Sequence, residues 1–141
     1  GFGEIDQYGN VNVSKFNGII PGCGGFIDIA HRTPELVFCG SFTAGGADIA
    51  IGGGRLTIRK EGKYRKVVEK VEQITLNGQE ALRKGQDVMY VTERAVFKLT
   101  PQGLELTEAA PGVDIQRDIV GLIPFPIIVK APLEMDPALF Q

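Results

Sequence analysis

The sequence predicts an α/β fold: a layered mixed sheet with short helices and glycine-rich loops. Three observations predict it. Short apolar or alternating runs recur along the chain, as at Leu36-Val37-Phe38-Cys39, Val88-Met89-Tyr90-Val91 and Ala95-Val96-Phe97-Lys98-Leu99, and read as strands. Brief helical patterns separate some of them, and strands interleaved with short helices favour a layered sheet, mixed rather than purely parallel. Glycine supplies 19 of 141 residues, about twice the average usage of roughly 7%. The glycines cluster at Gly22, Gly24, Gly25, at Gly45, Gly46 and at Gly52, Gly53, Gly54, between apolar runs, where they serve turns and close backbone approaches.

Element by element, Tyr8-Gly9-Asn10 signals a turn and Val11-Asn12-Val13-Ser14 alternates as a short strand. Residues 26–31 read as a short helix, led in by the Gly22-Cys23-Gly24-Gly25 loop and closed by Thr33-Pro34. The continuous apolar run 36–39 predicts a strand buried on both faces. Residues 48–60 predict a hairpin, since Ile49 and Ile51 alternate before the glycine triplet and Leu56 and Ile58 after it. Val67, Val68, Val71, Ile74 and Leu76 suggest a further strand, and residues 80–84 a helix ended by Gly85. Pro101-Gln102-Gly103 turns the chain into a strand over 104–107. Asp114 is placed to cap a helix over 115–122. Five of the eight prolines (Pro111, Pro124, Pro126, Pro132, Pro137) fall in the tail. That tail is expected to be extended and to pack along a partner surface rather than form a core.

The length allows one domain, and Gly1-Phe2-Gly3 does not read as a natural start, so an upstream portion is expected. The formal net charge is −2, and no basic patch of the kind that tracks nucleic acid stands out. Lys60, Lys63, Arg65 and Lys66 form a basic run broken by Glu61. It reads either as a solvated face or as a contact to a phosphate-bearing ligand. No apolar stretch approaches the ~18 residues of a membrane span, and no signal peptide is visible. Cys23 and Cys39 are too few for a disulfide framework and are expected as reduced, buried thiols. With His31 the single histidine, a metal site is not expected.

Familiar catalytic motifs are absent: no GxSxG, P-loop, HExxH or CxxC. An ordered set of segments remains. Gly9-Asn10-Val11-Asn12-Val13-Ser14 is followed by Gly22-Cys23-Gly24-Gly25-Phe26-Ile27-Asp28, then by Val37-Phe38-Cys39-Gly40 with Phe42-Thr43-Ala44-Gly45-Gly46. Val71-Glu72-Gln73-Ile74-Thr75 with Asn77-Gly78, and Tyr90-Val91-Thr92-Glu93-Arg94-Ala95-Val96-Phe97, complete it. In this order and spacing they resemble the second half of the family I coenzyme A transferases, above all the acetate and propionate CoA-transferases that carry both halves on one chain. Residues 1–141 would then be the C-terminal portion of a CoA-transferase β-like domain.

The resemblance implies transfer of CoA from a short-chain acyl-CoA to a free carboxylic acid. A glutamate attacks the thioester to give a mixed anhydride, and CoA thiolate converts it to a glutamyl-CoA thioester. The family places that glutamate in a Ser-Glu-x-Gly-like motif upstream. No such motif occurs here, and Glu4 stands in the wrong context, so the chain alone is expected to be inactive. The resemblance further implies a bacterial cytoplasmic homo-oligomer of short-chain fatty acid or ketone body metabolism, partnered by its own upstream half. It implies no cofactor beyond the coenzyme A thioester as substrate, no metal, no nucleic acid and no membrane. Related alternatives are an acyl-CoA hydrolase, a lyase-associated CoA-transferring subunit, and a non-catalytic β-rich binding domain.

Each exchange passes through an oxyanion, which needs donors about 3 Å from the developing charge. By resemblance Asn12 is the candidate side-chain donor and Gly46 the candidate backbone donor. Gly24, Gly25 and Gly45 would shape the wall of the CoA or acyl channel. Plainer roles exist for all of them: turn and strand-end residues for Asn10 and Asn12, a backbone kink at Gly24-Gly25. Glu93 suits a structural carboxylate, Asp28 a helix face, Gly52-Gly53-Gly54 a hairpin turn, and Phe26, Phe38, Phe42 and Phe97 the core.

Overall fold

A computed structural model describes residues 1–141, the whole of the sequence. In chain order the elements are β1 (Glu4–Ile5), β2 (Val11–Asn12), α1 (Phe26–Ala30), β3 (Glu35–Cys39), β4 (Thr43–Ala44), β5 (Asp48–Gly52), β6 (Arg55–Lys60), β7 (Tyr64–Arg65), α2 (Gly78–Arg83), β8 (Asp87–Val91), β9 (Ala95–Thr100), β10 (Gly103–Ala109), α3 (Ile115–Asp118) and β11 (Leu133–Glu134), with single 3-10 turns at Val120–Leu122 and Pro137–Phe140. The main sheet runs β11-β10-β9-β8-β3. It is mixed as predicted: β8, β9 and β10 form an antiparallel meander, while β3 lies parallel to β8 and β11 parallel to β10.

Alternation along these strands feeds two apolar layers. Leu36, Phe38, Val88, Tyr90, Ala95, Phe97, Leu99, Leu104 and Leu106 join the larger cluster, which Ile5, Val11, Ala30, Ala81 and Ile119 cover from β1, β2, the helices and the residue closing α3. Val96 faces the other way, into a smaller cluster with Leu56, Ala110, Met135 and Phe140, against which Met89 and Val91 pack. A bulge between Leu106 and Glu108 shifts the phase of β10, so Ala109 returns to the larger layer. Each fully buried aliphatic or aromatic side chain here contributes about 1.5–3 kcal/mol. Every buried side-chain nitrogen and oxygen has a hydrogen-bond partner.

The hairpin at 48–60 forms as expected, because Gly53 and Gly54 both adopt positive φ (63° and 76°), the backbone a two-residue primed turn demands. Asp114 caps α3 by accepting from Arg117 N at 2.8 Å, but the helix ends at Asp118 and the chain tightens into a 3-10 turn. Phe38, Phe42 and Phe97 are core residues, with Phe26 stacked on Phe38.

Four expectations are corrected. Strand β3 buries only Leu36 and Phe38; as the sheet's edge it leaves Val37 58% exposed. Cys39 shares that outward face and is exposed, and Cys23 is half-buried, so neither thiol is buried, although both are free. Residues 67–76 form no strand: Val67 and Leu76 each make a single bridge, to Ile5 and Val11, and the stretch between them lacks a ladder partner. The proline-rich tail packs on its own chain, burying Ile123, Phe125, Met135 and Phe140 and adding β11 to the sheet.

Two carboxylates pin loops. Gly18 N and Asn17 N donate to Glu72 and hold its carboxyl below the usual range. Arg117, followed by Asp114 N, does the same to Asp118. A carboxyl whose pKa is depressed by folding stabilises the native state above its unfolded value and ceases to as pH falls through the folded one. Stability should therefore decline as pH drops below about 4, the ordinary carboxylate range. Urea midpoints measured across that interval test this, and the decline should be shallower in Glu72→Gln and Asp118→Asn.

Candidate functional site

Arg94 organises the ground on which the candidate loop stands. Its side chain is wholly buried. Nη1 and Nη2 donate to the two Glu61 carboxylate oxygens at 2.5 and 3.1 Å, Nε donates to Glu93 Oε1 at 2.8 Å, and Nη1 also reaches the Asp118 carbonyl at 3.2 Å. The guanidinium lies 4.7 Å from the Phe42 ring centroid. Glu93 accepts Phe42 N at 2.8 Å, and Thr43 Oγ1 donates to Glu61 at 3.1 Å. Burial opposes charge on Arg94, but the two carboxylates outweigh it and raise its pKa, so the cation is permanent. Glu93 thus takes the structural role that suits it.

This network clamps β4 against β7, where Thr43 faces Arg65 and Ala44 faces Tyr64. Gly45 and Gly46 emerge from that clamp with φ of 84° and 79°. Gly45 O accepts Lys63 N at 2.9 Å, and a Cβ on Gly45 would stand 2.7 Å from the Tyr64 ring. Gly46 faces open space, and its N–H donates to nothing within the chain. That is the kind of free backbone donor an oxyanion needs.

Beside this loop lies a cleft of about 600 Å³, walled by Phe2, Gly3, Glu4, Phe16 and Asn17 on one side and Ala44, Lys63, Tyr64, Arg65 and Lys66 on the other. Lys66 Nζ sits 4.3 Å from the Phe2 ring centroid, and burial lowers its pKa, with Glu93 opposing. Asn12 lies behind the cleft. Its Nδ2 donates to Glu4 Oε2 at 3.0 Å and to the Lys15 carbonyl at 2.7 Å, and its Oδ1 accepts from Ser14 N and Lys15 N. The amide's capacity is thus filled within the chain, and it reaches the cleft only through Glu4. Gly24 and Gly25 are exposed on the loop entering α1, outside this cleft, and a Cβ added at either would meet nothing within 4 Å.

The structure therefore brings Gly45, Gly46 and, one residue removed, Asn12 to a common region, and leaves Gly24 and Gly25 apart from it. Sequence reasoning flags Lys63, Arg65 and Lys66 but misses Phe2, Phe16, Asn17 and Tyr64. No local pattern joins residues some sixty positions apart, and the bridge from Ile5 to Val67 is what does so. No group of three or more His, Cys, Asp or Glu side chains is arranged to hold a metal ion, and no helix is long and apolar enough to cross a membrane.

No family model matches the chain. Over 140 residues, 99% of its length, it is 48% identical to the acetate CoA-transferase YdiF of Escherichia coli O157:H7. It is 44% identical to the caffeate CoA-transferase of Acetobacterium woodii over 149 residues. It spans only 26% and 28% of those proteins. The crystal structure of the E. coli O157:H7 enzyme superposes with a TM-score of 0.96 at 47% identity, covering 99% of this chain and 27% of that one. Glutaconate CoA-transferase of Acidaminococcus fermentans shares the fold at a TM-score of 0.66 and 20% identity, over 98% of this chain and 53% of that one. The architecture is thus the α/β fold of CoA-transferases. With near-half identity along its whole length, the chain belongs to the family I coenzyme A transferases.

Proposed function

We propose that this chain forms part of the active-site wall of an enzyme that moves CoA from a short-chain acyl-CoA to a free carboxylic acid. The observation that carries the reading is the 48% identity to an acetate CoA-transferase over 99% of the chain. A structure of that relative as a thioester complex with CoA supports it. The nucleophile is a glutamate on an upstream portion of the same enzyme. Its carboxylate attacks the thioester carbonyl and releases CoA thiolate, leaving a mixed anhydride. The thiolate then attacks the glutamyl carbonyl, releases the first acid and leaves a glutamyl thioester, and the second acid reverses both steps. On this reading residues 1–141 are the C-terminal portion of the β-like domain. Gly46 offers its free N–H to the developing oxyanion, and Asn12 positions Glu4 at the edge of the site. Gly24, Gly25 and Gly45 line the path of the acyl-CoA.

The test is a chimera in which this chain replaces the 140 matching residues of the E. coli acetate CoA-transferase. Acetate-dependent CoA exchange is expected to persist, while the 141-residue chain alone gives none. A folded chimera that exchanges no CoA, or hydrolyses acyl-CoA without an acceptor acid, overturns the reading.

A further inference from the structure

The cleft beside β7 has a chemistry that the Gly46 donor does not use. Lys63, Arg65 and Lys66 converge on it, and none of the three makes an ion pair within the chain. Clustered like charges left without carboxylates are unfavourable, and an anionic ligand relieves that repulsion. The one carboxylate in the wall, Glu4, is committed elsewhere: its Oε2 accepts Asn12 Nδ2 and Glu72 N, both at 3.0 Å. Glu72, close behind, is occupied by Asn17 N and Gly18 N.

The same cleft offers aromatic surface. Tyr64 is 57% exposed, and Phe2 and Phe16 stand across from it. Lys66 and Lys63 rest near the Phe2 and Tyr64 rings, at 4.3 and 5.7 Å from their centroids. Lysines held only by rings can turn to phosphate, a stronger partner. A volume near 600 Å³ falls within the range of small-molecule sites. Cations that bind phosphate beside rings that stack on a base describe a phosphorylated nucleotide.

We infer that this cleft binds the phosphorylated adenine nucleotide end of coenzyme A, with Lys63, Arg65 and Lys66 on the phosphates and Tyr64 against the base. The choice of coenzyme A as its source rests on the transferase reading above.

Calorimetric titration of the chain with 3′-phosphoadenosine 5′-diphosphate, pyrophosphate and pantetheine tests the inference. The nucleotide is expected to bind well ahead of pyrophosphate. Lys63→Ala/Arg65→Ala should weaken it about tenfold or more, and Tyr64→Ala should weaken the nucleotide but not pyrophosphate. Lys98→Ala/Lys130→Ala, an equal charge change elsewhere on the sheet, should leave binding as it was. Equal binding of pyrophosphate and nucleotide overturns the assignment to a nucleotide. Nucleotide binding untouched by the cleft variants overturns the location, and absence of binding overturns the inference whole. A chain that fails here while the chimera still exchanges CoA leaves the transferase reading standing and removes only this site.

Discussion

Replacing Arg94 with methionine is expected to cost about 3–5 kcal/mol of folding free energy. The side chain is fully buried and answers two carboxylates from separate segments, Glu61 between β6 and β7 and Glu93 before β9. Methionine fills much of the volume but leaves both charges facing a low-dielectric interior. Urea denaturation measures the loss, and a change below about 1 kcal/mol would mean the pair is solvated enough to do without its cation. Adding Glu61→Gln and Glu93→Gln should recover part of the loss, because neutral partners no longer require compensation. The substitution should also loosen Phe42 and Thr43, since Glu93 and Glu61 hold them, and with them the Gly45-Gly46 loop.

Asp6→Ala should cost a comparable amount, about 3 kcal/mol or more, as several buried donors lose their acceptor at once. Asp6 is wholly buried; its carboxylate accepts Tyr8 N at 3.0 Å, Asn10 N at 3.1 Å, Asn10 Nδ2 at 3.2 Å and, across the chain, Val71 N at 3.1 Å. It therefore shapes the 6–10 turn and ties it to the irregular segment at 67–76. Asn10 passes the order on by accepting Gly78 N at 2.9 Å, where α2 begins. Tyr90 depends on the same turn, donating its hydroxyl to the Gly9 carbonyl at 2.5 Å. Burial, then Asp6, raises the Tyr90 pKa and keeps the phenol neutral. Asp6→Asn should cost less than alanine, since it keeps one acceptor oxygen but turns an amide donor toward other donors. Equal losses for the two variants would show that the site is shape-limited rather than acceptor-limited.

How far the fold is legible in the sequence follows the range of the interactions. The hairpin at 48–60 is readable because alternation and a glycine turn lie within thirteen residues of one another. The meander of β8, β9 and β10 is readable for the same reason. The apolar run 36–39 misleads because a continuous apolar strand looks the same whether a neighbour covers its outer face or not. Val67 to Leu76 carries strand-forming residue types, but its only partners are single positions on β1 and β2. For the site, the basic run is visible as charge, and Glu61 as the residue that breaks it. That Glu61 instead closes on Arg94, thirty-three positions away, is a tertiary fact without a local signature. Asn12 is visible as an amide in a promising segment, but not that Glu4 and Lys15 occupy its donors. The fold is also shared at 17% identity by the decarboxylase AibA/AibB, with a TM-score of 0.65, so architecture does not select the chemistry.

Strand β3 ends the sheet with its outer hydrogen-bonding edge unmatched, Val37 projecting from it and the Cys39 thiol beside. Such an edge is a template for any chain able to lie along it. In concentrated solution the isolated polypeptide should therefore self-associate through this border, slowly in reductant and faster under air once adjacent thiols crosslink. Anyone purifying it will meet that border before meeting its chemistry.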